Sequence, residues 1–227
     1  MPFPDLAERV ADIRQRIEAA VGRGGHGQQV RIVAVTKTFG PEAAIAAHDV
    51  GLGDVGENKV QEAVAKMDLV DRPLRWHLIG HLQRNKAKFA TRFSLVHGMD
   101  SSRLADALDE VGRRAGAPIP VLVQVNVSGE DSKGGYEPGG MAAEADRLRA
   151  LAGVRVQGVM TMAPLDADER MLRSTFAGAR DVRRVLADAG HPATELSMGM
   201  SQDFEIAVEE GATMVRLGTV LFGARVA

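Results

Sequence analysis

The segment AVTKTFGPEA, residues 34–43, puts a lysine where an apolar run ends in a turn. Side chains alternate along a strand, so Val33, Val35 and Lys37 share one face, and Ile32, Ala34 and Thr36 the other. If the valines face a buried interior, Lys37 emerges at its C-terminal mouth. An ammonium held there loses water, and desolvation favours the neutral amine. Neutral lysine amines attack carbonyl groups and form Schiff bases. The structural alternative is an ion pair with a carboxylate such as Glu57.

A second group of residues bears on that choice. In LSMGMSQDFEIAVEEGA, Ser201 stands at a strand-to-helix junction behind Gly199. In MVRLGTVLFG, the last strand delivers Gly218 and Thr219. Backbone N–H groups at such junctions bind phosphate. Turn and cap chemistry accounts for each residue singly, but not for their meeting beside a lysine. Amine and phosphate cradle together suit a phosphorylated aldehyde, of which pyridoxal 5′-phosphate (PLP) is the obvious example. Arg216 is in phase with Met214 and Gly218. A guanidinium only donates, so facing a pyridine nitrogen it would keep that nitrogen unprotonated and the ring a weak electron sink. An ion pair with Glu57 or Glu205 is the alternative for Arg216.

These residues meet only if the strands that carry them do. Eight strand-like runs, at 30–35, 53–57, 75–80, 94–99, 121–127, 154–160, 194–198 and 214–218, alternate with helical patterns. This predicts parallel pairing with right-handed crossovers. The first and last runs are apolar on both faces, which edge strands avoid. A closed (β/α)₈ TIM barrel removes the edges and puts the eighth strand beside the first; a doubly wound open sheet is the other solution. In the barrel, the loops after strands seven and eight form the frequent phosphate site. Leu6, Val10, Ile13 and Ile17 add an extra N-terminal helix. Ser101, Asp168 and Ser201 stand as N-caps, and the glycines at 51, 116, 153, 190 and 211 as C-caps. No shift of composition divides the chain, so residues 1–227 read as a single domain.

The other polar candidates carry less. Asn58 reaches either the cofactor ring hydroxyl or the start of the helix it precedes. His77, in phase with Ile79, reads as a satisfied core histidine. Gln124 and Asn126 share a strand face and read as site lining. His81, Gln83, Arg84, Asn85 and Lys86 form a solvated basic face, Lys133 sits on a glycine-rich loop, and Met160 and Met162 read as core. With 28 basic and 30 acidic residues the formal charge is −2, without the excess expected of a nucleic-acid binder. The absence of cysteine excludes disulfides, thiolate metal sites and a cysteine nucleophile, and no metal site is expected. The N-terminus lacks an apolar signal core, and no run approaches a membrane span. The expectation is a cytoplasmic protein.

The segments AVTKT, GENKVQEA, WHLIGHLQRNK, DSKGG, LSMGMSQDFEIAVEEGA and VRLGTVLFG resemble the YggS/PROSC family of PLP homeostasis proteins, from about residue 5 to 227. WHLIGHLQRNK and the LSMGMS–Asp203 pattern are the most specific. The resemblance implies a barrel like the N-terminal domain of alanine racemase, with PLP held on Lys37 as an internal aldimine. Ser201, Gly218 and Thr219 stand at phosphate positions, and Arg216 against the pyridine nitrogen. Lys59 replaces an expected aromatic residue after GEN, and TFG follows Lys37 where proline is common; both bear on the site entrance. The resemblance implies a carrier or buffer of PLP, with apo PLP-dependent enzymes as recipients and no dedicated catalytic residues. A PLP-dependent amino-acid racemase of weak activity is the alternative, and a barrel enzyme acting on a sugar phosphate without PLP is a third. Two-base racemisation needs an acid/base on each face of the cofactor. The related racemase takes its second one from a tyrosine in a further domain. This chain has one tyrosine, Tyr136, and no residues for such a domain. The expectation is therefore a carrier, and a monomer.

Overall fold

The computed structural model describes residues 3–130 and 134–223. Eight parallel strands close into a barrel in sequence order: β1 (Arg31–Val35), β2 (Asp54–Glu57), β3 (Arg75–Leu78), β4 (Leu95–Met99), β5 (Ile119–Gln124), β6 (Val154–Met160), β7 (Glu195–Ser197) and β8 (Met214–Leu217). β8 returns to β1 with Arg31 opposite Met214 and Val33 opposite Arg216. The closure expected from the apolar first and last strands is present.

Alternation sorts the strand residues into two packed layers. Val33, Leu95, Leu122, Met160 and Met214 fill the barrel, with Ile79 and Met162 against them. Ile32, Ala34, Val55, Val121 and Leu217 face outward into the shell of helices. Those helices are α2 (Pro41–Asp49), α3 (Val60–Met67), α4 (Ser102–Ala115), α5 (Met141–Arg149), α6 (Glu169–Asp188), α7 (Phe204–Glu209) and α8 (Thr219–Phe222). The additional α1 (Leu6–Gly24) buries Leu6, Val10, Ile13, Ile17 and Ala20 and lies on α7 and α8.

Local chemistry sets most boundaries where expected. Asp168 caps α6, its Oδ1 accepting from the Met171 N–H at 2.7 Å. Gly116 ends α4 in the left-handed region, φ +72°. Two expectations are corrected. Ser201 is not an N-cap: α7 starts three residues later, behind Asp203. The segment after β3, Arg84–Arg92, is a 3₁₀ helix. Its buried residues, Ala87 and Ala90, are three apart; a 3₁₀ turn stacks such positions on one line, which an α-helix does not.

Candidate functional site

Lys37 follows β1 by two residues and is half-buried. Its successor, Thr38, has φ +71° and is the only non-glycine with positive φ among the described residues. A β-branched residue there stores on the order of 1–3 kcal/mol of strain, so the surroundings must impose it. Thr36 is held on every side. Its N–H donates to Gly56 O at 3.1 Å, and its carbonyl accepts from the Phe39 N–H at 3.1 Å. Lys66 Nζ donates to the same carbonyl at 2.9 Å. The Thr36 hydroxyl and Lys66 Nζ both donate to Glu57 Oε1 at 2.5 Å. Glu57 is fully buried and Lys66 nearly so. The alternative partner proposed for Lys37 is thus engaged by Lys66. Gly56 is the inward residue here, a Cβ on it falling 3.0 Å from Val33 Cγ1, so Glu57 must face the helices.

Arg216 points into the barrel, opposite Val33, and is 4 % exposed. Its Nη1 donates to Ser197 O and Oγ, both at 2.7 Å, and Nη2 to Thr161 O at 2.9 Å. Its alternative partner Glu205 pairs with Arg16 and Arg23 instead. Burial lowers the guanidinium pKa to about 10, against the charge of Asp203, which leaves Arg216 a cation at neutral pH.

The two C-terminal loops converge as expected. Ser201 Oγ accepts from the Val220 N–H at 3.4 Å, so the β7 loop touches the start of α8. The first amides of a helix have no partner within it, and Thr219 begins α8. A Cβ on Gly218 would sit 3.5 Å from Val35 Cβ, which seats this junction against the end of β1. Gly199 has φ +91°, and a Cβ there would lie 2.6 Å from Ala207 Cβ; only glycine lets α7 approach. The Met200 N–H donates to Asp203 Oδ1 at 2.5 Å and the Asp203 N–H to Met200 O at 3.2 Å, closing the turn that presents Ser201. Burial raises the Asp203 pKa, opposed by the Met200 N–H and Arg216. The Ser201 hydroxyl, the first amides of α8 and the inward guanidinium thus lie at the strand ends beside the one that leads to Lys37, and their chemistry fits a phosphate, an unprotonated ring nitrogen and an aldehyde.

Asn58 is exposed at the rim on the adjoining strand end and packs against Gly80, where a Cβ would lie 2.8 Å from Asn58 Cγ. It does not cap α3, whose N-cap is Lys59. Gln124 Nε2 donates to Gly134 O at 2.6 Å. Asn126 is not turned to the site as expected: β5 ends at Gln124, and its side chain binds its own loop, Oδ1 accepting from the Gly129 N–H and Nδ2 donating to Glu130 O. His81 Nδ1 meets Asp100 Oδ2 at 2.7 Å on the exposed rim. Lys133 lies outside the described residues. His77 is a satisfied core histidine, bonded to Asp54 and His97. Asp54, His97 and Ser197 escaped the reading, although His97 is in phase with inward Leu95 and Ser197 lies opposite inward Met214.

Residues 9–226 match the family model for the alanine racemase N-terminal domain. The pyridoxal phosphate homeostasis protein of Pseudomonas aeruginosa is 42% identical over 223 residues, 97% of this chain and 96% of that protein. Its namesake from Aquifex aeolicus is 39% identical over 225 residues, 97% of this chain and 99% of that protein. The structure of PipY from Synechococcus elongatus with PLP bound superposes with a TM-score of 0.85 at 36% identity, covering 96% of this chain and 100% of that one.

Proposed function

Because the chain belongs to the alanine racemase N-terminal domain family, we propose that it binds PLP at the C-terminal rim and serves vitamin B6 homeostasis by carrying or buffering the cofactor. The observation that carries this reading is the meeting of Ser201, Gly218 and Thr219 with the end of β1, two residues before Lys37. Lys37 is the amine that would hold the cofactor through its aldehyde. Ser201 and the backbone of Gly218 and Thr219 hold the phosphate. Arg216 would donate to the ring nitrogen and Asn58 would line the ring. The homologues' names and the PLP-bound PipY structure support PLP as the ligand.

PLP supplies an aldehyde and an electron-accepting ring. The protein's residues hold it and limit what that ring does. A guanidinium keeps its protons while it donates, so Arg216 would leave the ring nitrogen unprotonated and weaken carbanion stabilisation. Tyr136, the only tyrosine, has its phenol pKa pushed upward by burial and by Glu144, which suits it poorly as a second acid/base. The chain therefore works without dedicated turnover, as one domain and a monomer in the cytoplasm, passing PLP to apo PLP-dependent enzymes.

Loaded protein incubated with L-alanine in deuterated water tests this. Retention of the Cα proton and of chirality is expected. A positioned acid/base contributes a factor on the order of 10²–10⁴ in rate, so rapid deuterium exchange with racemisation would replace the carrier by a racemase.

A further inference from the structure

A line of buried polar groups crosses the barrel beneath the rim. Arg216 Nη1 donates to Ser197 Oγ at 2.7 Å. Ser197 Oγ lies 2.9 Å from His97 Nδ1. His97 Nε2 lies 2.8 Å from His77 Nδ1, and His77 Nε2 2.9 Å from Asp54 Oδ1. All five side chains are buried, His97 and Ser197 completely. Asp54 also accepts from Arg75 at the N-terminal mouth.

The protons along this line can be assigned from either end. A guanidinium has no lone pair to offer. Ser197 Oγ therefore accepts from Arg216, and its own hydrogen goes to His97 Nδ1. His97 then carries its proton on Nε2 and gives it to His77 Nδ1. His77 carries its proton on Nε2 and gives it to Asp54. From the other end, an ionised Asp54 only accepts, which requires the same His77 tautomer. With both rings neutral, this is the one arrangement that ends on an ionised Asp54 and makes every contact of the line a hydrogen bond. The charged groups around this layer are Asp54 and Arg75, Arg31 paired with Glu195, and Arg216; β5 and β6 present Leu122 and Met160. Burial holds the His97 pKa well below its usual value, with the charges of Arg216 and Arg31 acting in the same direction.

Resting on the assignment of Arg216 to the cofactor ring, we propose that Ser197, His97, His77 and Asp54 are positioning residues, a one-directional hydrogen-bond relay that anchors Arg216 from the opposite mouth of the barrel. Three of the five guanidinium hydrogens are spent on Ser197 and Thr161. The relay keeps the Ser197 oxygen turned to accept, so the plane of Arg216 is set before PLP arrives.

Nitrogen-15 NMR of the imidazoles in cofactor-free protein tests the relay independently of PLP. Both His77 and His97 should be neutral Nε2–H tautomers at pH 7. His97→Leu should then weaken PLP retention roughly tenfold, the loss of one hydrogen bond in a charged network, and shift the visible band of bound PLP. His97→Gln, which still donates and accepts, should restore both. An Nδ1–H tautomer or an imidazolium at either position overturns the proposal. So does a folded His97→Leu protein with unchanged band and retention. Failure of Lys37 to carry PLP would instead remove the functional reading and leave the imidazole result standing.

Discussion

At the N-terminal mouth of the barrel Arg31 meets Glu195 and Arg75 meets Asp54, each charge beside its opposite. At the C-terminal mouth the polar groups are ordered differently. Arg216 touches only neutral acceptors among the contacts that hold it. Ser201 accepts from the Val220 amide, and Lys37 precedes a strained Thr38. The buried ion pair beside this rim, Glu57 with Lys66, faces away from the barrel and clamps Thr36. One mouth uses its charges against each other to close the barrel. The other keeps its buried ion pair behind the strands and turns the donors of Arg216 inward.

The largest expected effect breaks the clamp behind the rim. Lys66→Met strands a fully buried carboxylate, and losing one partner of a buried pair costs about 3–5 kcal/mol. Urea unfolding measures it. The double change Glu57→Leu with Lys66→Met should recover much of that loss. If the single change costs under about 1 kcal/mol, on the scale of a surface pair, the clamp does not hold the strand end.

Next is Ser201→Ala. A hydrogen bond to a charged group contributes about 1.5–3 kcal/mol, so PLP retention should fall about ten- to a hundredfold. Binding of unphosphorylated pyridoxal should hardly change. Equal losses for both ligands would reassign Ser201 to the fold.

The smallest effect sharpens the contrast from the other mouth. Burial alone would raise the Asp54 pKa, but hydrogen bonds from Arg75 and His77 and the charge of Arg75 bring it well below the ordinary carboxylate range. A carboxyl depressed on folding stabilises the protein fully above its unfolded pKa of about 3.9, and the contribution fades as pH falls towards the folded value. Asp54→Asn should therefore flatten the acid limb of the stability curve, read by unfolding at a series of pH values. Ser201→Ala should leave that limb as it is.

Much of this was legible in the sequence. Alternation in VRIVAVTK and MVRLG placed Val33 and Arg216 inside, and the strands fall within a few residues of their predicted ends. Lys37 and the Ser201 and Gly218 junctions could be brought together because barrel closure makes β8 the neighbour of β1. What stayed hidden depended on which face a polar residue takes. Glu57 looked available to Lys37 or Arg216 until the register showed Gly56 inward. Asn126 shared a face with Gln124 only if the strand continued, and it ends at Gln124. Asp54, His97 and Ser197 lie on three strands far apart in sequence, and only their register joins them into one line.

The account rests on Lys37, and the most direct measurement is chemical. Protein loaded with PLP is reduced with borohydride, digested, and its peptides mapped by mass. The account predicts the pyridoxyl group on the peptide that carries Lys37, with none after Lys37→Ala. A principal adduct on Lys59 or Lys133 of the unaltered protein would contradict it.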